Sequence, residues 1–171
     1  SGNIIRGVAG GSILATADNT GAGLNSFSSL GAGVDNSAFG YNVLSSLTSG
    51  NRNTAMGDSA LDALASNSDN TAFGASALAL ATGSDNTAMG SGAGDAMVGS
   101  NRNTLMGVNA GGALITANDC VAIGYNALDA HTTVHAGTIA VGSESLSALT
   151  TGTFNLAIGY QAMQNTTVGD F

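Results

Sequence analysis

Three groups of residues in this chain have side chains that could do chemistry. His131 and His135 stand four apart, a spacing that sets two imidazoles on one helix face, and Asp129 is close enough to serve as a third zinc ligand. Cys120 is the single cysteine, with those histidines about one structural unit away in sequence. A nucleophilic thiol needs a base and a group that orients the base, and nothing beyond the histidines supplies them. The acids Asp18 and Asp35, and again Asp69 and Asp85, recur at one position of a repeat, where neighbouring carboxylates could hold Ca²⁺. The calcium-binding nonapeptide pattern of parallel β-helices is missing, however. The plainer expectation is a solvated charged edge, with a structural thiol and a locally irregular unit around the histidines. No dinucleotide fingerprint or strand-turn-helix serine elbow is found. Glu144 is the only glutamate, and no second acid can be named to face it. Catalysis gathers unlike residues in one place, whereas this chain distributes like residues evenly. The expectation is a protein that is not an enzyme and carries no cofactor.

The elements that would position these residues are copies of one unit. The phrase Asn-Thr-Ala-Met-Gly occurs at 53–57 and 86–90, with close variants at 70–74 and 103–107. Aligned on the glycine, ten units are centred on Gly7, Gly23, Gly40, Gly57, Gly74, Gly90, Gly107, Gly124, Gly142 and Gly159. Their spacing of about 17 residues fills 1–171 as a single repeat domain and predicts a solenoid with one coil per unit. The longest step, 18 residues, contains the histidines.

Fixed columns follow. Four residues before the glycine stands asparagine, at Asn19, Asn36, Asn53, Asn70, Asn86 and Asn103 among others, which predicts a ladder of stacked amides. Cys120 and Thr138 interrupt it. Two before the glycine stands alanine, with a large apolar residue after it. The alternation predicts a short strand. The large residue and the threonine column (Thr20, Ser37, Thr54, Thr71, Thr87, Thr104) are expected to face inward, and Ala55, Ala72 and Ala88 to form a small-residue face for packing between chains. After the glycine, alanine at +3 with leucine at +4 and +7 fits one turn of an amphipathic helix, as in Ser59–Leu64. A second short strand fits as well. Five before the glycine, the series Asp18, Asp35, Arg52, Asp69, Asp85, Arg102, Asp119 places each arginine between acids.

Composition narrows the partners. Eleven acids against three arginines and no lysine give a net charge of −8. Nucleic acid and anionic membranes both call for a cationic footprint, so neither is an expected partner. No apolar run nears the ~18 residues of a membrane-spanning helix. Each coil holds only two or three large apolar side chains, so a thin solenoid gains from sharing surface with copies of itself. The repeat starts and stops without visible caps, which suggests a slice of a longer fibre.

The units Cys120-Val-Ala-Ile-Gly-Tyr-Asn-Ala-Leu128 and Asn155-Leu-Ala-Ile-Gly-Tyr-Gln-Ala-Met163 resemble the head repeats of trimeric autotransporter adhesins. They look still more like the repeats of phage and large-virus fibre proteins. The resemblance implies a parallel β-roll assembled as a homotrimer; with the repeat spacing and the residues after the glycine, the expectation is a mainly β fold, a parallel β-solenoid or β-roll of about ten 17-residue coils with a short helical turn per coil. The resemblance also implies a structural fibre or adhesin segment on a cell or virion surface, attaching to a host through a surface glycan or protein receptor. A monomeric solenoid that binds ice or a repeating glycan is the competing expectation.

Overall fold

The computed structural model describes residues 4–6, 18–130 and 135–169, the backbone alone at 4–6 and 135. Gly7, Asn3, Leu14 and His131 lie outside the described residues, as do the side chains of Ile4–Arg6 and His135. The described elements are strands and turns, with no helix among them. None of the described residues belongs to a helix long and apolar enough to cross a membrane.

The chain is a parallel β-solenoid. Seven strands come first: β1 (Ile4–Arg6), β2 (Thr20–Ala22), β3 (Ser37–Phe39), β4 (Thr54–Met56), β5 (Thr71–Phe73), β6 (Thr87–Met89) and β7 (Thr104–Met106). They are followed by β8 (Ala117–Asn118), β9 (Val121–Ile123), β10 (His135–Ala136), β11 (Ile139–Val141) and β12 (Leu156–Ile158). Ten of these form one parallel sheet in the order β1-β2-β3-β4-β5-β6-β7-β9-β11-β12. β8 and β10 form a separate parallel pair. Register is strict: Thr54 lies beside Thr71, Ala55 beside Ala72 and Met56 beside Phe73. Every strand of the main sheet therefore adds one coil to a stack whose rise is about 4.8 Å.

The strand's two faces are the reverse of the expectation. Ala38, Ala55, Ala72, Ala88 and Ala122 have no solvent exposure and belong to the core. Phe39, Met56, Phe73, Met89 and Met106 are exposed, and the threonines beside them are half-buried or exposed. Ala55, Ala72 and Ala88 thus cannot form a face between chains, because nothing outside the coil can reach them. The cause is the two-residue period of a strand. The buried asparagine at −4 fixes the inner face, the alanine at −2 shares it, and the large residue at −1 must point out.

The glycine that marks each unit turns the corner. At Gly40 φ is +137°, and a side chain there would place its Cβ 2.5 Å from the carbonyl oxygen of Gly57. Successive corners approach too closely for any side chain.

Past the corner, the expected helical turn is absent. The segment 41–46 is a run of turns in which residues at +2 and +4 take left-handed backbone angles, such as Asn42 at 52° and Leu44 at 49°. Ser59 with Leu61, Ser76 with Leu78, and Asn126 with Leu128 repeat this. A left-handed leucine costs about 1–2 kcal/mol. The conformation aims its N–H at the neighbouring coil, as in Leu44 N–H to the Ala60 carbonyl at 3.2 Å and Leu61 N–H to the Ala77 carbonyl at 3.1 Å. It also buries the leucine completely. A helix would have satisfied those amides within the coil and left the stack without bonds on this side. The core therefore has four inward columns: alanine from the strand, a small residue at +3 (Val43, Ala60, Ala77, Ala93, Ala110), mostly leucine at +4, and mostly leucine or methionine at +7 (Leu47, Leu64, Met97, Leu114).

Candidate functional site: ladders and an outward stripe

The asparagine ladder runs through the interior. In its best-bonded stretch each amide makes contacts in three directions. The Asn53 Oδ1 accepts from the backbone N–H of Asn70 at 3.0 Å and from its Nδ2 at 3.2 Å. The Asn53 Nδ2 donates back to Asn36 Oδ1 at 3.0 Å and across to the Asn67 carbonyl at 3.0 Å. Asn36, Asn70, Asn86 and Asn103 repeat the arrangement, and Asn19 donates to the Gly33 carbonyl at 2.8 Å. A buried amide is costly unless its donors and acceptor are used. Here they are, and a slip of register would break the set.

Cys120 continues the column in reduced form. Its backbone N–H donates to Asn103 Oδ1 at 2.9 Å, and its thiol lies 3.4 Å from the Asn118 carbonyl. Burial pushes the thiol up to about 11, against smaller opposing hydrogen bonds from the Thr138 and Gly137 backbone. Such a thiol is a packing group and an acceptor for the next coil, not a nucleophile. One coil on, Thr138 Oγ1 is buried without a hydrogen-bond partner.

The charged edge pairs in one direction. Arg52 donates through Nε and Nη2 to the two carboxylate oxygens of Asp69 at 2.6 and 2.7 Å, and Arg102 does the same to Asp119 at 2.6 and 2.9 Å. The arginine hydrogen bonds, more than the charges alone, hold the Asp69 and Asp119 carboxyls below their usual range. Both pairs are solvent-exposed. Exposed pairs of this kind set register more than they add stability. Asp69 is thereby committed to Arg52 rather than to a cation. Among the described residues no three His, Cys, Asp or Glu side chains come together as a metal site. That covers Asp18, Asp35, Asp69 and Asp85. The Asp129 carboxylate accepts from the Ala113 N–H at 3.0 Å. The zinc expectation at His131 and His135 falls on side chains outside the described residues.

The feature missed in the sequence is the outward stripe. Phe39, Met56, Phe73, Met89, Met106 and Ile123 occupy consecutive registered positions, continued by Val141 and Ile158. The parallel column beside it runs Ser37, Thr54, Thr71, Thr87, Thr104, Val121, Ile139 and Leu156. From β2 to β12 of the main sheet neither column contains a charged residue. On a chain with a net charge of −8, both columns of this face are free of charge over that span. Period-two parity was the signal available: once asparagine and alanine are assigned inward, methionine and phenylalanine must lie outside.

Compared with family models, curated proteins and solved structures, the chain matches none.

Proposed function

We propose that this chain is a non-catalytic structural segment of a surface fibre or adhesin, in which three copies associate side by side through the outward stripe of the main sheet. The observation that carries this reading is the uncharged column of Phe39, Met56, Phe73, Met89 and Met106, exposed over five consecutive coils. A contiguous exposed apolar surface of this kind marks an interaction site. Like-charged copies approach at least cost through a face that bears no charge. A closed symmetric assembly covers the same stripe on each copy. The reading places the fibre on a cell or virion surface, with a glycan or protein of the host as its receptor.

The test is the mass of the chain in solution by light scattering on a size-exclusion column. Three times 16.5 kDa supports the reading; a folded monomer at all concentrations overturns it. The outward threonine column gives a monomeric ice or glycan binder one supporting observation. The neighbouring column mixes phenylalanine, methionine, isoleucine and valine, however, and lacks the flat relief that a lattice ligand would need. Thermal hysteresis in the monomer would revive the ice version.

A further inference from the structure

Three of the five methionines lie on the stripe. Met56, Met89 and Met106 are 42%, 43% and 38% exposed. Met97 points into the core with no exposure, and Met163 is half-buried. Met56 lies in register between Phe39 and Phe73, and Met89 lies between Phe73 and Met106. A thioether beside aromatic rings is a favourable apolar contact. Its sulfoxide is polar and chiral, and disrupts methionine-rich interfaces.

We propose that Met56, Met89 and Met106 form an oxidation-sensitive patch that governs assembly: a hydroperoxide converts them to sulfoxides on the unassembled chain and so blocks association. Each sulfur is oxidised by two electrons. Its lone pair forms the S–O bond as the O–O bond breaks, and the proton passes to the leaving oxygen, which departs as water or alcohol. The proposal rests on the stripe being the face through which copies meet. Three sulfoxides would place polar S–O groups in three of the coils that the partner has to cover, among the phenylalanine and methionine side chains of the stripe. Once copies have met, the same contact shields the sulfurs. The fold itself is spared, because the core methionine, Met97, is out of reach.

The test treats the dilute, unassembled chain with hydrogen peroxide, locates added oxygen by peptide mass spectrometry, and then measures mass by light scattering. An untreated sample shows beforehand whether copies associate at all. If they do not, the assembly reading itself fails, before any peroxide is added. The expected result is one oxygen each on Met56, Met89 and Met106, none on Met97, and a chain that stays monomeric at concentrations where the untreated chain is trimeric. The variant M56L/M89L/M106L, treated identically, should still assemble. The preformed trimer should oxidise at these three positions at least tenfold more slowly. Assembly of the fully oxidised chain at the untreated concentration overturns the proposal. So does equal loss of assembly in the treated leucine variant, or equal oxidation rates in monomer and trimer.

Discussion

Leu105 occupies the space that side chains on Gly94 and Gly111 would need. A Cβ on Gly94 would lie 2.6 Å from Leu105 Cδ1, and one on Gly111 would lie 2.9 Å from Leu105 Cδ2. Leu105 stands in the alanine column, and the two glycines stand in the leucine column, at left-handed φ of 62° and 59°. One large residue has crossed from the turn to the strand, and core volume is kept. Gly21 and Phe27 make the reverse exchange, a larger side chain in the turn over a glycine in the strand: a Cβ on Gly21 would meet the Phe27 ring at 3.0 Å. Interiors tolerate shuffled side chains when volume is conserved.

This exchange predicts strong coupling. L105A alone should cost roughly 3–4 kcal/mol, as a cavity-forming leucine deletion does. G111L alone should be destabilising by overpacking, by on the order of 1–3 kcal/mol. The double variant L105A/G111L restores the commoner pattern and should recover most of the loss. Denaturant unfolding of the four chains checks it; additive losses would contradict the volume exchange.

The amide ladder predicts opposite signs at two of its positions. N70A strands the N–H of Asn86 and several buried partners, and should cost on the order of 3 kcal/mol or more. T138N supplies an amide where a hydroxyl is now buried without a partner. It should stabilise by about 1 kcal/mol. Thermal unfolding of both variants reads the two signs.

The arginine pairs predict a pH dependence. The Asp69 and Asp119 carboxyls are held below their ordinary value in the folded chain. Their contribution is therefore complete above the unfolded carboxylate pKa, near 4, and is lost as pH falls through the lower folded value. Asp95 has the opposite sense, because burial raises its carboxyl, outweighing backbone hydrogen bonds from Ala96 and from Asp95 itself. Its ionisation opposes folding as pH rises. R52Q/R102Q should flatten the loss of stability as pH falls below about 4. Acid titrations of both chains, followed by circular dichroism, compare the slopes; equal slopes would rule out the pairs as the source.

Cys120 should be inert in the native chain. With no exposure and a thiol raised to about 11, it should resist iodoacetamide at pH 8 and react promptly in denaturant. Rapid native alkylation, followed by mass spectrometry, would show that this part of the stack opens.

The repeat, the register and the asparagine ladder were legible in the sequence because a solenoid repeats its chemistry at every coil. The sidedness of the strand was misassigned by treating large as inward. In a coil this thin, the strand usually contributes alanine to the core, and alanines and leucines from the turn fill most of the rest. The turn itself was hidden because leucine ordinarily avoids left-handed angles. Leu44, Leu61 and Leu78 accept them to bond the neighbouring coil. Gly94 and Gly111, standing in the leucine column, were the available clue. The charge ladder showed its composition but not its direction, which only the bonds from Arg52 to Asp69 and from Arg102 to Asp119 reveal.

The most direct measurement is the solution mass of the M89E variant beside that of the parent chain. Met89 is exposed at the middle of the stripe, so glutamate there should leave the coil folded, with an unchanged circular dichroism spectrum. Side-by-side packing of the stripes predicts a trimeric parent and a monomeric M89E. A variant that stays trimeric would contradict the stripe as the contact between copies.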